Sequence, residues 1–301
     1  MTHETKTPYQ EMLAQMRDRY PNYADLWVTT REEFGAVWER EFDVVMNAVF
    51  DSESRIESAI DGYAEFCTDA VRSQIFFEKF RRYRSSSYAE ASERYYHNAD
   101  FMFRSYLPGM IISHWVWPHH HRMLHYFRSL IAEMRDNISS FAEVGTGCGM
   151  YSKELLSLVP EAKGYGYDIS KHALDFTLSV VRAFGFEERY EIRQRDILEE
   201  PLPEPVDLVL NQEVLEHLED PQTFINGLFA MTKPGGHAYI AAAVNAGHVD
   251  HIYLYRSPDE IAQQLVAAGY EILESRSEYA YGGKAVEITP CHAGFLCRRR
   301  R

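Results

Sequence analysis

A short stretch in the middle of the chain carries its clearest chemical pattern. An apolar run at residues 141–144 leads directly into glycines at alternate positions, Gly145, Gly147 and Gly149. Glycines at the end of a strand remove side chains, so a ligand can lie against bare backbone. A predicted helix begins at Met150, which places the unpaired N–H groups of a helix N-terminus beside the loop. The pattern therefore predicts a ligand-binding loop.

The spacing of the glycines and the charge beside them limit the kinds of ligand that this loop can bind. G-x-G-x-G differs from the G-x-G-x-x-G of nicotinamide and flavin enzymes, whose loop and helix dipole suit a pyrophosphate. Glu143 stands two residues before Gly145, where a carboxylate repels a pyrophosphate but attracts an ammonium or a sulfonium. We therefore interpret the loop as a site for a cationic ligand rather than for NAD.

Two acidic residues end the next two predicted strands. Asp168 follows Gly149 by nineteen residues, and Asp196 closes the strand after it. Either could cap a helix. Because acids at the ends of consecutive parallel strands face the crevice where ligands bind, we favour ligand contacts for both.

From Ile138 the sequence alternates between strand and helix patterns, which predicts a doubly wound α/β sheet. Predicted strands after the first cover residues 163–168, 190–195, 206–210, 238–244, 270–275 and 293–297. Predicted helices cover residues 150–159, 171–184, 222–232 and 258–268, and residues 233–236 are predicted as a turn.

The N-terminal third has a different pattern. Apolar residues recur at helical spacing around Phe34, Val37 and Trp38, and no proline occurs between Pro21 and Pro108. We predict an all-helical cap over residues 1–112, followed by a ligand-binding domain over residues 113–301. A long helix from Pro118 to Met134 is expected at the start of that domain.

Several motifs together resemble the class I S-adenosylmethionine (SAM) dependent methyltransferases. The glycine loop resembles their first motif, and residues 211–221 (NQEVLEHLEDP) look like the fourth-strand signature of the ubiquinone-pathway branch. Residues 233–236 (KPGG) resemble the turn before their fifth strand. The resemblance covers residues 138–301 and does not identify the cap.

This resemblance implies a seven-strand methyltransferase sheet with SAM along the carboxyl ends of strands one to four. It also implies a SAM-dependent methyltransferase activity. The cofactor contacts that it implies are Glu143, Gly145, Thr146, Gly147, Gly149, Asp168, Ile169, Asp196, Ile197, Asn211 and Gln212.

The catalytic candidates follow from the chemistry of methyl transfer. The protein mainly aligns the acceptor and excludes water, and a general base is needed only when the acceptor arrives protonated. Candidate side chains are Glu213, His217, His248 and His251. Cap tyrosines could stabilise a sulfonium through their ring faces, and Tyr20 is the one counted among the candidates, with Tyr9 and Tyr23 as other lid residues.

Other polar residues receive simpler interpretations. Glu216 and Glu219 are read as solvated helix charges. His121 and His125 at i, i+4, and the His-x-x-His pair His248 and His251, have spacings that can bind a metal. We predict no metal site, because further ligands cannot be named for either pair.

Composition and charge limit the partners, the location and the cysteine chemistry that we expect for this protein. The chain has 301 residues and a formal net charge of −14, a field that disfavours nucleic acid and anionic membrane as partners. No long apolar run or secretory signal is found, so we expect a cytoplasmic protein. The four cysteines show no metal-type spacing and do not suggest a disulfide scaffold.

The leading functional hypothesis is methyl transfer to a small molecule in bacterial specialised metabolism, with a homodimer as one option for the assembly. A second hypothesis keeps the cofactor but cyclises or transfers its aminocarboxypropyl chain, releasing methylthioadenosine. A third is a non-catalytic SAM-binding module, which we disfavour because the cofactor motifs are intact. The acceptor atom, whether O, N or C, is left open.

Overall fold

The structure is a computed structural model that describes residues 6–198, 204–281 and 288–301. Its strands are β1 (Ser140–Val144), β2 (Lys163–Asp168), β3 (Tyr190–Gln194), β4 (Val206–Gln212), β5 (Thr232–Val244), β6 (Tyr270–Tyr279) and β7 (Cys291–Arg299). They form a seven-stranded sheet in the order β3-β2-β1-β4-β5-β7-β6. Pairing is parallel from β3 to β5, and β7 runs antiparallel to both β5 and β6. The predicted seven-strand, doubly wound α/β sheet is confirmed.

The helices also follow the predicted pattern. They are α1 (Pro8–Arg19), α2 (Pro21–Val49), α3 (Glu53–Phe80), α4 (Tyr88–Ala91), α5 (Ala99–Phe101), α6 (Leu107–Val116), α7 (Pro118–Met134), α8 (Met150–Leu158), α9 (Lys171–Ala183), α10 (Pro221–Met231) and α11 (Pro258–Ala267). Two π-helical turns, Ser92–Tyr96 and Met102–Tyr106, lie between α4 and α6. The predicted all-helical N-terminal region is therefore present, although residues 1–5 lie outside the described residues. No helix in the described ranges has both the length and the apolar character needed to cross a membrane.

The core lies in two layers, one on each face of the sheet. The larger layer joins the N-terminal helices to α7, α8 and α9, and it contains the fully buried rings of Trp27, Phe127 and Tyr239. The smaller layer packs α10 and α11 on the opposite face. Because the N-terminal helices share a core with the sheet, they are packed directly against the part of the protein that carries the glycine loop.

The largest local difference from the sequence prediction lies at the start of β5. Residues 233–236, predicted as a turn before the strand, fall within the strand assigned as Thr232–Val244. Val206 pairs with Thr232, and pairing resumes only between Leu208 and His237. The intervening residues are therefore extra on β5, and the bulge accommodates a proline that cannot donate to the ladder.

Candidate active site

A cavity of about 600 Å³ lies between the cap and the carboxyl ends of β1, β2 and β4. This edge of an open α/β sheet is where ligands bind, because the loops that leave adjacent strands diverge there. The predicted site residues that line the cavity are Glu143, Gly145, Thr146, Gly147, Asp168, Ile169, Asp196, Ile197, Gln212, Glu213, His217, His248 and His251. Gly149, Asn211 and Tyr20 do not contribute to its wall.

The glycine loop adopts a backbone that other residues rarely tolerate. Gly145, Gly147 and Gly149 have φ angles of 77°, 50° and 71°, which lie in the left-handed region. A Cβ atom built on Gly145 would lie 2.3 Å from Cγ2 of Val214. One on Gly149 would lie 2.9 Å from Cγ2 of Thr177. The loop is thus packed closely against its neighbours as well as open to the cavity.

Glu143 brings a buried carboxyl group to the cavity. Its Oε2 accepts hydrogen bonds from the backbone N–H of Ser152, at 3.1 Å, and from the Ser152 hydroxyl. Burial raises the pKa of Glu143 to about 8, against the lowering effect of these two hydrogen bonds. A cationic ligand group would favour the ionised form of this carboxyl.

Asp168 links the ends of β1 and β2. Its Oδ1 accepts from the N–H of Ser170 at 2.8 Å, and its Oδ2 accepts from the N–H of Gly147 at 3.4 Å. The helix-cap alternative does not apply to it, since the N-cap of α9 is Ser170, whose hydroxyl accepts from the N–H of Ala173. Burial raises the pKa of Asp168.

The next two strand ends present Asp196 and Gln212. Asp196 Oδ1 accepts from the N–H of Leu198 at 2.9 Å, in the turn after β3. Neither polar atom of the Gln212 side chain, both buried, has a hydrogen-bond partner among the described residues. Unpaired buried amides are uncommon, so Gln212 is suited to bind a ligand. Asn211 instead donates to the carbonyl of Val144 at 2.8 Å and ties β4 to β1.

Glu213 adopts an unusual backbone conformation at the end of β4. Its φ angle is 51°, and its N–H donates to the carbonyl of Ala241 at 2.9 Å. Its Oε1 lies 3.4 Å from Nε2 of His292 on β7. Burial raises the pKa of Glu213 to about 7, although nearby His217 and His248 act in the opposite direction. His292 was not among the sequence candidates, because nothing local distinguishes it from other residues of a buried strand.

The three candidate histidines, His217, His248 and His251, converge around Asp250, which was not among the residues predicted from the sequence. His248 Nδ1 lies 2.7 Å from Asp250 Oδ1, and His217 Nδ1 lies 3.3 Å from the Asp250 carbonyl oxygen. The rings of His217 and His251 are 4.8 Å apart. Burial alone would raise the pKa of Asp250, but His217 and His248 hold it well below its usual range. In the sequence, the only indication of a role for Asp250 is its position between His248 and His251.

The interpretation of Glu216 as a solvated charge is wrong. Its side chain is fully buried, whereas that of Glu219 is exposed as predicted. Glu216 Oε1 accepts from the N–H of Ala243 at 3.2 Å, and its backbone carbonyl accepts from Ile252 and Tyr253. The short 3₁₀ turn Leu215–His217 directs this carboxyl inward, which a helical charge pattern could not reveal.

The cap contributes tyrosines to the cavity, but Tyr20 is not one of them. The Tyr20 hydroxyl donates to Asp61 at 2.8 Å within the cap, while Tyr23 lines the cavity. Tyr96 and Tyr106 also line it, and their hydroxyls donate to Asp250 Oδ2 at 3.1 Å and 2.9 Å. The two π-helical turns therefore place cap hydroxyls on the carboxylate that contacts the histidines.

His121 and His125 are the other histidine pair whose spacing could suit a metal. In the structure their side chains are hydrogen-bonded to each other. Their Nε2 atoms are 3.0 Å apart, and the His121 ring packs against Phe34 and Trp115. Burial lowers the pKa of His121 to about 3, so this histidine is neutral at ordinary pH. The pair belongs to the packing between α2, α6 and α7.

Comparison with known proteins shows which protein family the sheet and its site residues resemble. Residues 138–280 match a family profile described as a methyltransferase domain. The chain is 27% identical over 191 residues to a ubiquinone biosynthesis O-methyltransferase of Cupriavidus pinatubonensis, an alignment that covers 55% of this chain and 76% of the relative. Residues 138–280 therefore carry a class I SAM-dependent methyltransferase domain. The cofactor of this methyltransferase is therefore SAM.

The alignments with other relatives cover a smaller part of the relative's own length. The methyltransferase is 33% identical over 127 residues to a ubiquinone biosynthesis O-methyltransferase of Nitrosococcus oceani, covering 39% of this chain and 51% of that one. Among solved structures, mitomycin 7-O-methyltransferase MmcR superposes with a TM-score of 0.55 at 13% identity, over 85% of this chain and 74% of that one. Human N-acetylserotonin methyltransferase superposes with a TM-score of 0.52 at 20% identity, over 81% and 70%. At these identities the structural matches establish the fold only.

Proposed function

We propose that this methyltransferase transfers the methyl group of SAM to a hydroxyl group of a small molecule enclosed between the cap and the sheet. The observation that carries the proposal is the half-buried carboxyl of Glu213, whose Oε1 is buried and whose pKa, raised to about 7 by lost hydration, suits a general base at neutral pH. SAM supplies a methyl carbon that its sulfonium already activates. A hydroxyl acceptor arrives protonated, and such a base can remove the proton that methyl transfer releases. The matched ubiquinone-pathway relatives, named as O-methyltransferases, support the choice of oxygen.

The residues at the carboxyl ends of β1, β2 and β3 fit SAM. Glu143 would receive its ammonium group, and Asp168 would accept from its ribose hydroxyls. Asp196 and the buried Ile197 would hold the adenine, and Gln212 has free hydrogen-bonding capacity for the same ligand. Gly149 and Asn211 would act indirectly, by setting the loop and strand positions.

The opposite part of the cavity fits an acceptor with several polar groups. Nδ1 of His114, Nδ1 of His120 and Nε2 of His248 are buried without a hydrogen-bond partner among the described residues, and all three residues line the cavity. Buried polar atoms are costly when unpaired, so a bound acceptor that pairs with them gains affinity and specificity. Tyr23, rather than Tyr20, is the aromatic residue from the start of α2 that we propose to contact a ligand.

The same proposal assigns separate tasks to the two parts of the chain. Residues 1–112 would act as the acceptor-binding cap and residues 113–301 as the SAM-binding domain, with α6 crossing between them. The enclosed cavity favours a small molecule over a nucleic acid as the acceptor. A cytoplasmic location, a role in specialised metabolism and a homodimeric assembly stay predictions from the sequence.

A product assay tests the proposal. The purified protein is incubated with SAM and a panel of hydroxylated small molecules, and products are separated by mass spectrometry. S-adenosylhomocysteine together with an O-methylated product is the expected result. Methylthioadenosine would show reaction at the aminocarboxypropyl chain instead. Methylation only at nitrogen or carbon would contradict the assignment of oxygen, and SAM binding without turnover across the panel would contradict an enzymatic role.

A further inference from the structure

We propose that Glu216, His217 and His251 bind a divalent first-row transition-metal ion beside the acceptor end of the cavity. One possible ligand atom from each of the three residues lies within 4.8 Å of those from the other two. All three residues are buried. The sequence offered only the histidine spacing and no third ligand, because Glu216 was expected to be solvated.

The hydrogen bonds of His217 determine which of its nitrogens can bind a metal. The Tyr96 hydroxyl donates its proton to Asp250 Oδ2, so its oxygen is left to accept from His217 Nδ1 at 2.9 Å. The Asp250 carbonyl oxygen, 3.3 Å from the same Nδ1, can only accept. Both contacts require the proton on Nδ1. In the neutral imidazole, which is the form that binds a metal, Nε2 of His217 then carries the lone pair.

A different contact places the proton of His251 on the same ring nitrogen, Nδ1. Its Nδ1 lies 2.7 Å from the carbonyl oxygen of Ala246, so Nδ1 carries the proton and Nε2 carries the lone pair. Histidine ligands of metals usually donate their other ring N–H to a carbonyl or carboxylate group. The surroundings of His217 and His251 therefore provide the outer hydrogen bonds of a metal site.

Glu216 is the anionic ligand of the proposed site. One of its carboxyl oxygens also lacks a partner, which independently indicates a bound ion. Its Oε1 accepts from Ala243, but its Oε2 is buried and has no hydrogen-bond partner among the described residues. Leaving a carboxylate oxygen unpaired in the interior is costly. Two imidazole nitrogens and one carboxylate oxygen form a donor set that suits Zn²⁺, Fe²⁺ or Co²⁺.

A second set, formed by His248, Asp250 and His251, also has suitable spacing. Its carboxylate is already in use, since Asp250 Oδ1 contacts His248 and Oδ2 accepts from two cap tyrosines. We therefore assign Glu216 as the ligand and Asp250 as a residue that positions His217. Because His217 and His251 both line the cavity, an ion that they hold is reachable from it.

The test is metal binding by the 301-residue chain without an affinity tag. After treatment with a chelator, the protein is titrated with Co²⁺ and followed by visible absorption, and Zn²⁺ is measured by equilibrium dialysis with elemental analysis. We expect one equivalent of either ion per chain. Glu216→Gln and His251→Ala should each weaken binding at least tenfold, whereas His97→Ala, at an exposed histidine, should leave it unchanged.

Two results would overturn the proposal. One is wild-type protein that binds no more than a small fraction of an equivalent, and the other is undiminished binding by folded Glu216→Gln or His251→Ala protein. If a variant fails to fold by circular dichroism, X-ray absorption of the Zn²⁺-loaded wild type decides, and fewer than two imidazole ligands would refute the assignment. The measurement uses neither SAM nor an acceptor, so its outcome is independent of the methyl-transfer proposal.

Discussion

Oε1 of Glu213, the residue directly after β4, lies 3.4 Å from Nε2 of His292 on β7, and β5 separates these two strands in the sheet. Burial lowers the pKa of His292 to about 4 and raises that of Glu213 to about 7. Near neutral pH the imidazole is therefore uncharged, while the carboxyl can gain or lose its proton. Glu213 also holds a φ angle of 51°, a conformation that costs an L-residue roughly 1 kcal/mol or more.

The first prediction concerns Glu213→Gln. If Glu213 is the general base for a hydroxyl acceptor, the substitution should lower kcat by about 10²- to 10⁴-fold, because a glutamine cannot accept the proton. SAM affinity and thermal stability should change little. Steady-state kinetics and calorimetric SAM titration would measure these effects, and unchanged kcat would remove Glu213 from the chemistry.

The pH dependence of the reaction gives a second prediction. The base must be ionised, so kcat/KM should rise as the pH increases through about 7, the pKa of Glu213, and then level off. His292→Asn removes the neighbouring imidazole and should move this midpoint without abolishing it. A wild-type profile that is flat between pH 6 and pH 8 would be inconsistent with Glu213 as the base.

Glu143→Gln should affect stability and cofactor binding in opposite directions. The folded pKa of Glu143 is about 8 against an ordinary value of 4.5, so the native protein holds a proton that the unfolded chain releases between these pH values. The free energy of unfolding of ligand-free wild type should therefore fall as the pH rises from 4.5 to 8, by a few kcal/mol at about 1.4 kcal/mol per pKa unit.

The glutamine variant should lack this part of the pH dependence and be the more stable protein at pH 8 and above. It should also bind SAM at least about tenfold more weakly, because the cationic ammonium loses a charged partner. Thermal unfolding across pH, with SAM titrations at pH 7.5, would test both effects. If the variant bound SAM as tightly as wild type, Glu143 would be a structural residue only.

A substitution of Asp168 separates cofactor binding from turnover. Asp168→Asn preserves the size of the side chain but weakens acceptance from ribose hydroxyls, and should reduce SAM affinity by roughly 10- to 100-fold. At saturating SAM, kcat should remain close to wild type. Asp175→Asn on the exposed surface of α9 is the matched control and should bind SAM normally. Equal affinities in the two variants would contradict the ribose assignment.

The glycine loop can be tested by steric rescue. Gly145→Ala should impair SAM binding and lower stability by about 1–3 kcal/mol, because the new methyl group meets Val214 at 2.3 Å and φ is 77°. Adding Val214→Ala removes the clash but not the backbone strain, so the double variant should recover only part of the loss. Full recovery would show that backbone conformation contributes little, and no recovery would show that Val214 is not the obstacle.

The sequence predicted the sheet well because its signals are local. The strand before the glycine loop, the helix start at residue 171 and the helix start at Pro118 each depend on a few neighbouring residues, and all three appear in the structure. The bulge at residues 233–236 was missed, since Pro and Gly indicate a turn whether or not the strand resumes its pairing. That distinction depends on the partner strand β4.

The parts of the candidate site that depend on long-range packing could not be predicted. Asp250 lies 144 positions along the chain from Tyr106, whose hydroxyl contacts it, and His292 meets Glu213 only because β7 returns beside β5. Glu216 was misread for the same reason, since its burial depends on the loop after β5 folding over it. Local charge patterns carry none of this information.

The hydrogen bonds from Tyr96 and Tyr106 to Asp250 connect the cap to the loop that carries His248 and His251. The loop that carries Asp250 is also held to the cap through Gln74, which accepts from the N–H of Gly247 at 2.7 Å. Moving the cap away from the sheet would break these contacts and remove the Tyr96 hydroxyl, one of the two acceptors of the His217 Nδ1–H. The cap and the histidine-bearing loop are therefore coupled, and a substitution in either one would change the acceptor side of the cavity.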